Sequence, residues 1–420
     1  MKRLALIVST ILISCAAFAE MPSRFFEVGL DVDASLAQNI TTANDLFVEN
    51  LVIDLTELAE NMDSNGAKVT ADGFLSAFMN ANIMGYKAGI YANLDVAASF
   101  GVGQELFSFL GNGNKLNEDV VASVNASLES YFEIAANVEF KLLKKFHISV
   151  SPDVFMPIAY LPRPDAKVTA TALEDGTLKM TASGQFALYT AFAMSDYFDE
   201  NFNFNSQAIN NIDGGNITAL IASGAGFDLS GNVIYELFDW MNVGGYARIP
   251  IVPGRLSNST TGKVTYSAQV DPVLNSYVSN GDFSFSSTGP EYENITYGTD
   301  TFTVNRPLRL GAQAQFKFLG GMLNVSPSLG LAARNPFGED FDWSQSIYPE
   351  FALRAGADFW IGGVYLNTQY MKQIYSQEVG GYLNLRAMEL ILKIASSGTS
   401  LSKSFALGGM SASLGLRFGF

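Results

Sequence analysis

Cysteine and histidine are almost missing from this chain: Cys15 and His147 are the only ones in 420 residues. A single thiol cannot form an intrachain disulfide, so stability has to come from another source. Zinc sites built from several Cys and His side chains are excluded, and no H-E-x-x-H or Walker loop occurs. A Ser–His–Asp hydrolase would have to use His147, and the sequence pairs no serine with it. The acids lack the regular spacing of a calcium loop, so no metal ligand, cofactor or catalytic residue is expected and the chain does not read as an enzyme. Basic residues are scarce as well, 25 Lys and Arg against 41 Asp and Glu. That balance argues against nucleic acid as a partner, because phosphate contacts need clustered cations. Beyond the amino-terminal segment, no apolar run approaches the ~20 residues of a membrane-spanning helix.

What is abundant is Gly (38), Phe (32) and Tyr (17), with only 16% charged residues. From Gly408 to the terminal Phe420, Met410, Ala412, Leu414, Leu416, Phe418 and Phe420 alternate with small or polar residues. Strand side chains alternate faces, so this segment has one greasy and one wet face. The same alternation recurs over Tyr86–Phe100, Phe132–Leu142, Phe146–Met156, Phe186–Met194, Ala225–Leu237, Val243–Ile251, Leu308–Phe318, Leu323–Ala333 and Phe351–Ile361. Val364–Tyr370 and Leu383–Ile394 are weaker, the latter changing phase at Arg386–Met388 as at a bulge. Runs of this length suit tilted strands crossing a hydrocarbon layer and exceed the five or six residues usual in soluble sheets. The wet phase carries charges of both signs, including Asp95, Glu133, Arg248, Arg309 and Arg354, which suit a hydrated lumen. The fold expected is all-β, a transmembrane antiparallel β-barrel of about 14 strands (range 12–16). Tyr348, Trp360, Tyr370 and Tyr375 near strand ends fit an aromatic girdle at the lipid surface.

At the amino terminus, Lys2 and Arg3 precede an apolar run from Leu4 to Ile13, and Ala17-Phe18-Ala19 offers a small-x-small cleavage site. This is the pattern of a secretory signal over residues 1–19, leaving 20–420 as one outer-membrane barrel domain. Leu12-Ile13-Ser14-Cys15 also resembles a lipobox, which would make Cys15 an acylated first residue. One region breaks the barrel pattern. Phe47, Leu51, Leu55, Leu58 and Met62 form a helical stripe after Thr42, a plausible N-cap. Further helical turns are expected at Gly73–Ile83 and Glu118–Leu128, so 42–84 reads as a plug in the lumen or a helical segment on the rim. Phe47, Leu51 and Leu55, with Asp95, Glu133, Arg248, Arg309 and Arg354, are the candidate plug and lumen residues.

Connections divide into tight ones (Leu142–Lys145, Phe238–Asn242, Leu319–Gly321, Gly362-Gly363) and long polar ones (Pro157–Gly184, Ser195–Gly224, Pro253–Pro307). Short periplasmic turns and long outer loops produce that contrast. A strand is expected to be missing from this tally between Phe202 and Leu220 or around Ser396–Leu407. Ala136–Leu143 with Val150-Ser151-Pro152 echoes Ala312–Leu319 with Val325-Ser326-Pro327, one hairpin in each case. A second echo joins Pro157-Ile158 and Ala166–Thr169 to Pro250-Ile251 and Gly262–Thr265.

The start Pro22-Ser23-Arg24-Phe25-Phe26-Glu27-Val28-Gly29-Leu30-Asp31-Val32, the helix end Val52-Ile53-Asp54-Leu55, and the close Arg417-Phe418-Gly419-Phe420 resemble spirochaete outer-membrane β-barrel proteins. Those proteins are similar to the long-chain fatty-acid transporters, 14-stranded barrels with an amino-terminal hatch. The resemblance implies passage of hydrophobic small molecules. It departs from that pattern because a strand precedes the helix, and no hatch motif or binding residue carries over. The function expected is passive uptake or exchange of small molecules, apolar ones included, through a lumen gated by Phe47–Met62. The alternative is a structural or adhesive surface protein whose long loops bind host or matrix molecules. The partners expected are outer-membrane lipid, an unidentified solute and, through the strand ending at Phe420, the barrel assembly machinery. Amino-terminal sequencing of the exported protein should start at Glu20; an acylated Cys15 would instead show the lipobox at work.

Overall fold

The computed structural model describes residues 24–40, 66–112, 115–199, 202–205, 223–270, 285–334, 346–359, 361–371, 374–385, 387–398 and 400–420, together with Thr56, Glu60, Met62 and Pro336. The expected signal segment, Cys15, Phe47, Leu51, Leu55 and Trp360 lie outside the described residues. In chain order come β1 (Phe26–Gln38), β2 (Ala67–Ile83), β3 (Tyr86–Val102), helix α1 (Gln104–Asn112), β4 (Asp119–Leu142), β5 (Phe146–Leu161), β6 (Asp165–Ala172) and β7 (Leu178–Thr190). Then follow β8 (Gly226–Phe238), β9 (Met241–Val252), β10 (Gly254–Leu256), β11 (Asn258–Val270), β12 (Phe285–Ser287), β13 (Glu291–Gly298) and β14 (Phe302–Val304). The last are β15 (Leu308–Phe318), β16 (Leu323–Ala333), β17 (Ile347–Phe359), β18 (Gly362–Met371), β19 (Ile374–Asn384), β20 (Met388–Gly398), helix α2 (Leu401–Phe405) and β21 (Gly409–Gly419). Among the described residues no helix is long and apolar enough to cross a membrane.

Antiparallel pairing runs from β1 through β2, β3, β4 and β5 to β8, β9 and β15, and on through β16 to β21. The ring closes where β21 returns to β1, from Glu27 opposite Gly419 to Ala37 opposite Gly409. No open edge remains in that ring, as a hydrocarbon environment demands. Counted with β6 and β7, which complete a circuit between β4 and β5 at one end, the closed wall has sixteen strands. Sixteen is the upper limit of the expected range; the best figure of about 14 leaves out β6 and β7, because β6 and half of β7 lie in Pro157–Gly184, taken for a polar loop.

Alternation assigns the two faces. Val28, Leu30 and Val32 of β1, Leu392 and Ile394 of β20, and Met410, Leu414 and Phe418 of β21 are exposed on the outside. The intervening Asp31, Asp33, Lys393, Ser413 and Arg417 point inward. Aromatic rings gather at both rims: Trp240 stacks on Phe238 at 5.4 Å at one, and Tyr370 meets Tyr375 at 4.5 Å at the other. Tyr348 departs from the expected girdle, because its strand phase turns it inward, where it is buried.

The tight connections β2–β3, β4–β5, β8–β9, β15–β16, β17–β18 and β19–β20 share one end, where the Phe25 N–H also donates to the Phe420 carbonyl at 2.7 Å. In β2–β3, Met84 and Gly85 both have positive φ (54° and 85°), the backbone that a two-residue hairpin between right-twisted strands requires. The phase change in Leu383–Ile394 falls at the connection between β19, ending at Asn384, and β20, starting at Met388, and not at a bulge within one strand. The first hairpin echo corresponds to β4–β5 and β15–β16. The second places Ala166–Thr169 and Gly262–Thr265 on opposite edges of β7.

The helical turns expected at Gly73–Ile83 and Glu118–Leu128 are strand instead, in β2 and β4, so 42–84 is not one helical segment. β2 misleads because Phe74 and Phe78 face the lumen while Leu75 and Met79 face outward, which breaks the period-two pattern. Around Ser396–Leu407 there is the end of β20 and the short helix α2, and no additional strand.

At the other end, β5 changes neighbour. Phe146–Phe155 pair with β8, whereas Ala159 and Tyr160 pair with β7. β7 then pairs with β11, and β11 with β12 and β13, extending the wall as a flap above β8 and β9. Placing arginine on the lipid face at Leu392 should cost about 2–4 kcal/mol, while arginine at the lumen-facing Ser99 should cost about 1 kcal/mol or less, as measured by equilibrium refolding into lipid vesicles.

Candidate functional site

Among the described residues two cavities open in the lumen, one of about 730 Å3 toward the tight turns and one of about 510 Å3 toward the flap. Both are lined by Arg248 and Arg309, so these two arginines mark the layer between them. Wall strands supply most of that layer: Glu133 from β4, Asp228 from β8, Arg248 from β9, Arg309 from β15 and Glu350 from β17.

One cation comes from elsewhere. After β9 the chain turns inward as β10, which pairs with β14 from Gly254 opposite Val304 to Leu256 opposite Phe302. Leu256 and Val304 are buried, as is Phe155 on the wall beneath. Gly226 and Gly254 both lie against the Phe155 ring, where a Cβ would overlap it, so glycine lets the inward hairpin seat. Phe302 is stacked between Tyr160 at 4.9 Å and Tyr189 at 4.4 Å, which fixes the other side of the hairpin. The residues after β14 then carry Arg306 into the lumen, with its guanidinium 4.8 Å from the Phe155 ring centroid.

There Arg306 donates to Glu133 and lies 3.4 Å from Asp228 Oδ2. Arg248 donates through Nε to Asp228 at 3.0 Å and through Nη2 to Glu133 at 3.1 Å. Asn93 donates to the remaining oxygen of Glu133 at 2.9 Å. Arg309 pairs with Glu350 at 3.5 Å. The pairs are lopsided in exposure: the side chains of Arg248 and Arg309 are 24% and 22% exposed, those of Asp228 and Glu350 0% and 2%. An unpaired buried charge is costly, and each of these three acids lies within ion-pair distance of a guanidinium.

Of the lumen residues expected from sequence, Glu133, Arg248 and Arg309 meet in this layer. Asp95 lines the flap-side cavity. Arg354 lies across the lumen wall over the Tyr365 ring, 4.2 Å from its centroid. Arg306, Asp228 and Glu350 are the residues of the layer that sequence reading missed, Glu350 standing one residue before the expected start of its strand. Asp228 stands in the wet phase of its strand, a signal that was there to find; Arg306 sits between strands and carries none. His147 bonds to Glu236 at 2.5 Å, and Lys141 reaches the same carboxylate at 2.7 Å, so the imidazole is part of a polar lumen network. Among the described residues, no group of three or more His, Cys, Asp and Glu side chains is placed to hold a metal ion. Within the expected plug region, Thr56 donates to the Gly111 carbonyl and the Met62 carbonyl accepts from Gln104, so both touch α1.

No protein-family description matches the chain, and no curated protein does. Among solved structures, the Ralstonia pickettii toluene transporter TbuX aligns over 98% of this chain and 95% of its own at 9% identity, with a TM-score of 0.47. The Pseudomonas putida toluene transporter TodX aligns over 98% and 95% at 11% identity, with a TM-score of 0.45. The CymD monoaromatic hydrocarbon channel aligns over 95% and 89% at 10% identity, with a TM-score of 0.46. At such scores and identities neither the ligand nor the wall of this barrel follows from theirs; the wall rests on its own strand pairing.

Asp228→Asn should destabilise the folded barrel by about 3 kcal/mol in urea titrations, because it leaves two arginines sharing Glu133 in a place water reaches poorly.

Proposed function

We propose that this protein sits in the outer membrane, exported by its amino-terminal signal, and lets small molecules diffuse through its lumen. The observation that carries this reading is the pair of cavities on either side of one charged layer, with Arg248 and Arg309 facing both. We read the layer as the narrow point, and part of it, Arg306 with the short ladder of β10 and β14, lies inside the ring and does not belong to the wall. A constriction supported in this way opens without disturbing the ring of strand pairs. The expected gate at Phe47–Met62 is kept as a second element of the same proposal, with the contacts of Thr56 and Met62 to α1 in its support. Apolar bodies are within the range of solutes, since Tyr131, Tyr160 and Phe302 line the flap-side cavity.

Adhesion is the second reading, and the flap favours it. β11, β12 and β13 stand beyond the ring strands β8 and β9 and present exposed Tyr266 and Tyr292. Binding of matrix proteins that is lost when 266–288 is replaced by a short linker, with folding retained, would support that role over passage.

Planar-bilayer recording on the refolded barrel should show discrete channel steps, and Arg306→Ala should raise the single-channel conductance. A folded protein that conducts nothing, in either form, would end the passage reading.

A further inference from the structure

The whole chain is strongly acidic, yet its lumen is not. Each of the two cavities is lined, among the described residues, by five Lys or Arg side chains against three Asp or Glu. In the layer between them the charges are equal in number, Arg248, Arg306 and Arg309 against Glu133, Asp228 and Glu350, and two of the pairs differ in exposure. Arg248 and Arg309 line both cavities, whereas Asp228 and Glu350 are sunk behind them. Across the lumen Arg417, 20% exposed, covers Glu389 at 0%, while its other partner Asp31 is 29% exposed. In Arg248–Asp228, Arg309–Glu350 and Arg417–Glu389 the side a passing solute meets is the cation, whereas in Arg306–Glu133 and Arg417–Asp31 the acid is the more exposed. In a narrow, low-dielectric conduit, a lining of one sign concentrates ions of the other and excludes its own.

The flap-side cavity adds a second requirement. Tyr131, Tyr160, Phe302 and Tyr348 share its lining with Arg306, Arg309 and Arg334. Aromatic faces accept a planar ring, and guanidinium forks accept a carboxylate or sulfonate in two parallel hydrogen bonds.

We propose that the lumen is anion-selective and that its flap-side cavity takes small organic anions, a carboxylate or sulfonate carried on an aromatic ring. This rests on the passage reading above and names its solute class. An incoming anion exchanges with a wall carboxylate at Arg306, the one guanidinium of the layer held on the hairpin side, so the solute itself loosens the constriction it has to cross. Arg309 and Arg248 then hand it to the turn-side cavity, which both also line.

The test uses the refolded full-length barrel in a planar bilayer with a KCl gradient. The reversal potential is expected to have the sign of chloride selectivity. Benzenesulfonate is expected to carry more current than benzyltrimethylammonium, two permanently charged ions of similar size. Lys68→Gln with Arg334→Gln removes two cavity cations that lie outside the ion pairs of Glu133, Asp228 and Glu350, and should move the reversal potential toward zero. Cation selectivity, equal currents for the two organic ions, or an unchanged potential in the folded double variant would each overturn the proposal while leaving passage intact. Silence in the bilayer would take down both. If the double variant does not fold, as judged by heat-modifiable migration, the two wild-type measurements decide alone.

Discussion

Closure of the backbone hydrogen-bonded ladder is the constraint on which this structure depends. An unpaired N–H or C=O costs several kcal/mol in hydrocarbon, so a sheet there must have no edge. The chain meets the condition by bringing its last described strand back to its first, with β21 lying between β20 and β1 over its whole length. Once the ring is closed, the outside must be apolar, and the polar residues that alternation leaves over have only the interior to occupy. The charged layer is the next consequence. Carboxylates turned into a confined space need matched cations, and Glu133, Asp228 and Glu350 each have one.

Much of this was legible in the chain because most wall strands of a barrel with an apolar outside repeat that face with period two. β3, β15, β16 and β17 announce themselves by apolar residues at every second position, and their lumen charges can be read off the complementary phase. Where lipid no longer touches the wall, the signal vanishes. β6, β7 and β11 carry Lys167, Thr169, Thr181, Ser183, Thr261, Lys263 and Thr265, which look like loop composition although they form ladders. Water on one side and a hydrated interior on the other leave no reason for greasy alternation. β2 hides for the opposite reason, since Phe78 packs inward against Tyr91 and beneath the Arg417 guanidinium, making both of its faces apolar in part.

The site was half readable for the same cause. Glu133, Arg248 and Arg309 stand on lipid-crossing strands and are exposed by their phase. Arg306 depends on a fold-back that only tertiary packing specifies: small residues at 226 and 254 make room for Phe155, and Phe302 is held between two tyrosine rings. No local periodicity records a hairpin that leaves the wall and returns to it.

The change of neighbour along β5 carries one more implication. A strand whose edge is divided between β8 and β7 has a seam in its zipper, at Met156 to Ile158, where the ladder passes from one partner to the other. Under pulling force or heating, tearing should begin at such a dislocation, peeling the flap away as one piece while the ring beneath stays shut. The barrel would then come apart in two stages, in contrast to a uniformly laced cylinder.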